Sequence, residues 1–342
     1  MTYKHLFFDD YSEGAHPRIL EAFQRTNLQQ EPGYVMDSFA LEATRLIQER
    51  FASPNADVHF VASGTQANLC VLSAILKPYE SVIAADSGHI NQHEAGAIEG
   101  TGHKINTVKG EDGKVRPHEI QEQVEMHNFD QMVVPRAVYI SQSTELGTVY
   151  TTAELTALSE KCKEHGLYLY VDGARLGAAL TAKGGDLNPA TLARLVDLFY
   201  IGGTKNGALI GEAIVIVNQQ LKDHFRFNLR QRGGLLAKGR AVSLQFQELF
   251  RDNLYFDIAQ HANTLAQQLA AGIQKCGYRL FVEAPTNQVF PIFPNAVIES
   301  LQQDYGFHFW EKFDEQHSIV RLVTSWATQK AHVSEFLEAL QK

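Results

Sequence analysis

Cysteine is scarce in this chain: Cys70, Cys162 and Cys276 are odd in number and far apart. They cannot supply a disulfide framework, and no C-x-x-C pair offers ligands for a structural zinc. They read as reduced thiols, and a cytoplasmic protein without a metal site is the expectation. Long hydrophobic runs are also missing, so no segment reaches the length of a membrane span. The start, Met1-Thr2-Tyr3-Lys4-His5, has no apolar stretch of the signal-peptide kind. Positive charge is in deficit. Lysine and arginine number 30 against 39 aspartates and glutamates, a formal net charge of −9. That balance speaks against a nucleic-acid partner. The densest cationic stretch, Arg226 to Arg240, is broken by Phe227, Leu229, Gly233 and Gly234. There is no G-x-x-x-x-G-K-[ST] loop and no clear G-x-G-x-x-G after a strand, so nucleotide-phosphate binding has little support.

What is present is a core. Hydrophobic residues make up 44% of the 342 positions and charged ones 20%, which suits a globular chain with one large and one small domain. Strand-like runs occur at Val58–Val61, Ser81–Ala84, Lys104–Val108, Ala137–Ile140, Leu167–Val171, Leu198–Ile201 and Ile214–Val217. Helical patterns lie between several of them, notably Thr152 to His165, where Leu155, Leu158 and Cys162 share a face. Such alternation predicts an α/β fold with a mostly parallel sheet covered by helices. The pattern changes near Phe250. A long helix is expected over Asp257 to Lys275 with Gly277 as its stop, then short strands at Arg279–Val282, Gln288–Ile292 and Ile319–Val323, and a last helix over Lys330 to Leu340. Residues 1–250 therefore read as the large domain and 251–342 as a smaller α+β domain.

Two apolar runs end in chemistry. Leu167-Tyr168-Leu169-Tyr170-Val171 leads into Asp172-Gly173-Ala174-Arg175, and Leu198-Phe199-Tyr200-Ile201 leads into Gly202-Gly203-Thr204-Lys205. Each alone is an ordinary strand followed by a turn. Together they would deliver a carboxylate and an amine to the crevice outside the strand ends. A lysine there can form a Schiff base with an aldehyde, and an aspartate can keep a pyridine ring nitrogen protonated, as pyridoxal 5′-phosphate requires. A third strand, Val58–Val61, turns through Ala62-Ser63-Gly64-Thr65 into an apolar helix. Small and hydroxylated residues at a helix start leave backbone N–H groups free for a phosphate.

With these motifs in order, and with His89 in Asp86-Ser87-Gly88-His89, the chain resembles the low-specificity L-threonine aldolases of the β-eliminating lyase group. Asp9-Asp10-Tyr11-Ser12 and Ile319-Val320-Arg321-Leu322-Val323-Thr324 extend the resemblance over nearly the whole chain. It implies the aspartate-aminotransferase-like fold, fold type I, with a mostly parallel seven-stranded sheet. It also implies a homodimer or homotetramer in which two subunits share each active site. By the resemblance, Lys205 carries the pyridoxal phosphate, Asp172 faces its ring nitrogen and His89 stacks on its ring. Ser63, Gly64 and Thr65 hold its phosphate. Arg175 and Arg321 bind the carboxylate of an amino-acid substrate, near Asp9. The segment Gly33-Tyr34-Val35-Met36-Asp37 reaches a neighbour's site.

Three departures bear on the substrate. Asp9 stands where family members often carry serine, and an acid there repels a carboxylate unless it is neutralised or turned away. Ser141-Gln142-Ser143-Thr144-Glu145 lacks a histidine that some members place there, and the glycine-rich stretch offers Arg232 or Lys238 in place of the usual arginine. The implied reaction is cleavage of L-β-hydroxy-α-amino acids, such as L-threonine, L-allo-threonine or phenylserine, to glycine and an aldehyde. His89 is the matched candidate for the base; His93, and a water held by His89 or Glu94, are others. β-Elimination or transamination of an amino acid, and a non-catalytic protein of the same fold, are the competing readings.

Overall fold

A computed structural model describes residues 3–341. Its centre is a seven-stranded sheet in the order Asp57–Val61, Glu212–Ile216, Leu198–Gly202, Tyr168–Asp172, Val134–Ser141, Glu80–Ala85, Ile105–Val108. Only Glu212–Ile216 runs antiparallel to its neighbours; the other pairs are parallel. All seven expected strands are present. Both faces of the sheet are covered, so its central strands read as continuous apolar runs rather than alternating ones. Alternation is still visible in what each side chain meets. Ile140, Val171, Phe199 and Val215 enter one cluster. Tyr139, Tyr170, Tyr200 and Ile214 enter the other. Asp172, two residues beyond Tyr170, points to the tyrosine side.

The helix Thr152–Glu164 starts at Thr151, whose hydroxyl accepts from the Glu154 N–H while the Glu154 carboxylate accepts from the Thr151 N–H. The long helix runs Leu254–Lys275, and Gly277 follows at φ 91°. That left-handed conformation suits glycine past a helix end.

The smaller sheet joins Ile292–Pro294, His317–Val323 and His308–Lys312, with Gln288–Val289 also on His317–Val323. Leu265, Leu269 and Ile273 of the long helix pack with Val320, Leu322, Val333 and Phe336 in its core. Phe7 is buried there too, and His5–Leu6 pairs with Tyr305–Gly306. We propose the domain boundary near residues 250–251, with the N-terminal segment crossing over the small domain. Two expectations are corrected. Arg279–Val282 is not a strand; only Leu280 bridges to Pro291. The run Gln288–Ile292 splits into two short strands around Phe290–Pro291, because proline has no N–H to give a ladder. The strand His308–Lys312 escaped the sequence because it is short, none of its side chains is fully buried and its aromatic and charged residues do not alternate. Among the described residues no helix is long and apolar enough to cross a membrane.

Candidate active site

The site forms where strands end. Parallel strands carry Ser141, Asp172 and Gly202 to one sheet edge, and Ser141 is in register with Asp172. The reversed strand begins at that edge, so Glu212 pairs with both Gly202 and Val61. Close approach is needed here. A Cβ on Gly173 would lie 1.9 Å from the Tyr200 carbonyl oxygen, and one on Gly202 would lie 2.1 Å from that of Ala174.

Asp172 is buried under a cage of donors. The Tyr139 hydroxyl donates to its Oδ2 at 2.5 Å, Asn68 Nδ2 at 3.1 Å, and the Ala174 N–H donates to Oδ1 at 3.0 Å. Burial pushes its pKa up. The facing His89, the Tyr139 and Tyr200 hydroxyls and the Ala174 N–H outweigh that and hold it below the ordinary carboxylate value. Asn68 also donates to Glu94 Oε1 at 2.7 Å, and its own Oδ1 accepts from the Tyr170 hydroxyl at 2.8 Å.

His89 opens a short helix, and its N–H donates to Glu145 Oε1 at 3.0 Å. Its Nδ1 lies 2.8 Å from Glu94 Oε1. A carboxylate only accepts, so Nδ1 carries the proton and Nε2 is left for the cavity. Burial depresses the imidazole, but the Glu94 hydrogen bond and Asp172 win, and its pKa is raised. Glu145 also accepts from the Ser141 hydroxyl at 2.6 Å, and burial drives its pKa up.

Lys205 follows a tightly tied turn. The Gly203 N–H donates to the Gly211 carbonyl at 3.1 Å and to Glu212 Oε2 at 2.7 Å, and the Gly211 N–H donates to Thr204 Oγ1 at 2.9 Å. The amine lies 5.9 Å from the Tyr11 ring centre. Burial lowers its pKa, and Arg175 lowers it further.

Each candidate arginine has an acid. Arg175 donates from Nε and Nη2 to the two oxygens of Asp10, at 2.7 and 3.1 Å. Arg321 Nη2 donates to Asp9 Oδ1 at 3.2 Å, and His308 Nε2 stands 3.2 Å from the same oxygen. Asp9 is thus neutralised where it faces the cleft. Arg321 Nε is buried without a partner, a donor waiting for an acceptor.

Two cavities share Tyr11, His89, Glu145, Arg175 and Lys205. The inner one, about 360 Å³, is lined by Ser63, Gly64, Thr65, Asp172, Tyr200 and Glu212 as well. The outer one, about 1120 Å³, opens between the domains past Asp9, His93, Trp310 and Arg321. Ser63 caps the helix Gly64–Ile75, its hydroxyl accepting from the Gln66 N–H. The first-turn N–H groups of Gly64 and Thr65 have no partner within the helix. Gly64 keeps that wall open: a Cβ there would lie 2.9 Å from the Tyr200 hydroxyl. Arg232 is close to the same helix, its carbonyl accepting from Gln66 Nε2 at 3.3 Å and its Nε buried without a partner. Tyr34 lines neither cavity.

Sequence reasoning therefore placed Ser63, Gly64, Thr65, His89, Asp172, Arg175, Lys205, Arg321 and Asp9 around one space. It missed Asp10, Asn68, Glu94 as the partner of His89, Tyr139, Glu145 and Glu212. Glu212 left a trace: it is a lone acid at the head of the apolar run Ala213-Ile214-Val215-Ile216.

A buried amine and a buried carboxylate at adjacent strand ends, with an open helix start beside them, define a pyridoxal-phosphate enzyme on the aspartate-aminotransferase-like fold. The chain belongs to the beta-eliminating lyase family, whose model matches residues 24–295, and it is a carbon–carbon lyase. It is 33% identical over 330 residues to the low specificity L-threonine aldolase of Pseudomonas sp. (strain NCIMB 10558), covering 96% of this chain and 94% of that one. A threonine aldolase structure from Leishmania major superposes with a TM-score of 0.97 at 46% identity, over 98% of both chains. An aspartate aminotransferase mutant from Thermus thermophilus shares the fold alone, with a TM-score of 0.73 at 18% identity over 99% of this chain and 91% of that one.

The donor set fits pyridoxal 5′-phosphate. The amine of Lys205 suits its aldehyde, the caged carboxylate of Asp172 its ring nitrogen, and the free first-turn N–H groups its phosphate. Among the described residues no group of three histidines, cysteines or acids is arranged to hold a metal ion.

Proposed function

We propose that the protein cleaves L-β-hydroxy-α-amino acids, L-threonine and L-allo-threonine among them, to glycine and an aldehyde. The observation that carries this reading is the convergence of Lys205, Asp172 and His89 with Arg175 and Arg321 on two joined cavities. The likeness to threonine aldolases supports it. Bound pyridoxal phosphate supplies the sink for the electrons of the bond broken at Cα. Lys205 would hold it, the Asp172 carboxylate would keep the ring nitrogen protonated, and Ser63, Gly64 and Thr65 would receive the phosphate. Arg321 would bind the substrate carboxylate from the wall of the outer cavity, and Arg175, which lines both cavities, would back it. Fixing that carboxylate would set the orientation of the bonds at the substrate Cα. His89 Nε2 takes the proton of the β-hydroxyl. The rest of the side chain faces the wide outer cavity, so low specificity for the aldehyde is expected.

The reading is tested by assaying aldehyde release from L-threonine, L-allo-threonine and L-phenylserine. Pyruvate or ammonia from serine, with no aldehyde from any of the three, would make the protein an eliminating lyase instead. Borohydride reduction of the loaded protein is expected to leave its adduct on Lys205.

We also propose a homo-oligomer with composite sites. Tyr34 accepts through its carbonyl from Arg226 Nη2 at 2.6 Å, and the Arg230 guanidinium lies 4.7 Å from its ring centre. Around it Met36, Leu41 and Phe227 are exposed. Such an apolar face with a cationic rim suits a second copy. Sedimentation of an active monomer at assay concentration would overturn this.

A further inference from the structure

Glu212 has no counterpart among the roles above. It is 5% exposed and opens a strand whose other residues are apolar. A lone acid there costs stability unless its surroundings use it. Its carboxyl accepts from the Gly203 N–H at 2.7 Å and bonds the Thr204 side chain. These are the two residues immediately before Lys205. Glu212 and Lys205 also line the same inner cavity.

We propose that Glu212 is the positioning residue of Lys205: it holds the turn that carries the lysine, and its anion, facing the amine across the inner cavity, sets the pH at which that amine is free to bond the cofactor. The inference rests on the reading of Lys205 as the cofactor lysine. An ammonium cannot attack an aldehyde. One of its three protons must leave first, and a Glu212 anion opposes that loss. The nitrogen then bonds the aldehyde carbon, and the carbonyl oxygen departs as water with the other two protons. Release of the lysine runs this in reverse and returns the proton.

The neighbouring groups leave the task to Glu212. Burial pushes its pKa up to about 8, Asp172 adds to this, and the hydrogen bonds and Lys205 oppose it. Burial lowers the pKa of Lys205, so the two approach each other. Asp172 and Asp10 are both held below the usual carboxylate value and cannot keep a proton near neutrality. Burial holds the Tyr200 and Tyr255 hydroxyls protonated well above neutrality. Arg175 stays charged beside Asp10. Glu145 is also raised, but it is engaged by Ser141 and the His89 N–H.

The test uses the full chain freed of cofactor. Recapture of pyridoxal phosphate is followed by absorbance against pH, in the wild type, Glu212→Gln and Glu212→Ala. A Glu212 anion raises the pKa of Lys205, so its loss should move the midpoint of the capture rate to lower pH, by on the order of one unit. Glu212→Gln keeps an acceptor for the Gly203 N–H and should show that shift alone. Glu212→Ala should show the shift and slower capture at every pH. A Glu212→Gln midpoint equal to the wild type would overturn the proposal. Infrared spectra guard against failure of the variants to fold. In Glu145→Gln, which removes the other high-lying acid, a carboxylic acid band should vanish as pH rises through about 8. A band unchanged between pH 6 and 10, a window set about that value, would overturn it equally. Neither failure touches the Lys205 reading, which falls only if the reduced adduct sits on another residue.

Discussion

Arg175 and Asp10 meet at two points, Nε to one carboxylate oxygen at 2.7 Å and Nη2 to the other at 3.1 Å. Asn287 Nδ2 adds a third donor to Asp10 at 2.9 Å. The pair joins the start of the chain to the end of a central strand, and both side chains are almost fully enclosed. Burial presses the Asp10 pKa up, but Arg175, Lys205 and the hydrogen bonds bring it below the ordinary value.

Asp10→Asn should therefore cost both stability and substrate binding. It strands a buried guanidinium, which costs about 3–5 kcal/mol. The group's folded pKa is depressed, so its stabilisation is present above the unfolded value of 3.8 and is lost as pH falls through the folded one. Thermal melting at several pH values should show the gap between wild type and variant widest near neutrality and narrowing below pH 3.8. A gap that does not change with pH would contradict the linkage.

Asp172→Asn should keep the fold and bind cofactor weakly. An amide cannot hold the ring-nitrogen proton, so turnover should fall by about 10²-fold or more. The Tyr139 hydroxyl can still donate to the amide oxygen, which preserves the packing. Near-wild-type kcat would rule out the role.

His89→Asn should lower kcat by about 10²-fold or more if Nε2 receives the hydroxyl proton. Glu94→Gln is the finer probe. The Glu94 hydrogen bond raises the imidazole pKa. Without the carboxylate that pKa falls, the imidazole stays neutral to lower pH, and the acid limb of kcat/KM should move down the pH scale. An unmoved limb would assign it to another group.

Gly173→Ala should destabilise by about 3 kcal/mol or more, because the new Cβ would lie 1.9 Å from the backbone oxygen of Tyr200. Gly14→Ala is the control, with nothing within 4 Å of its added Cβ. Equal melting temperatures for the two variants would contradict the close approach.

The sequence by itself determined the elements and the ends of the strands. Apolar runs of strand length, separated by helical periodicity, impose a covered parallel sheet wherever they fold. The residues after each run are then confined to one edge, so Asp172 and Lys205 were legible as neighbours. The close approach of Gly173 to Tyr200 and of Gly202 to Ala174 was not legible in the runs themselves. Local pattern was less informative in the small domain, where the partly exposed His308–Lys312 carried no apolar alternation and Pro291 divided a run that looked continuous.

Tertiary structure alone decided which charge faces which. Asp10 and Arg175, and Asp9 and Arg321, lie far apart in the chain, and nothing local in either member names its partner. The same holds for the Asn68–Glu94–His89 chain beneath Asp172 and for Glu212, whose place at the site follows from one strand running backwards. Burial and Coulomb interaction depend on distance through space, so the pKa shifts that set these roles arise only once the sheet has formed.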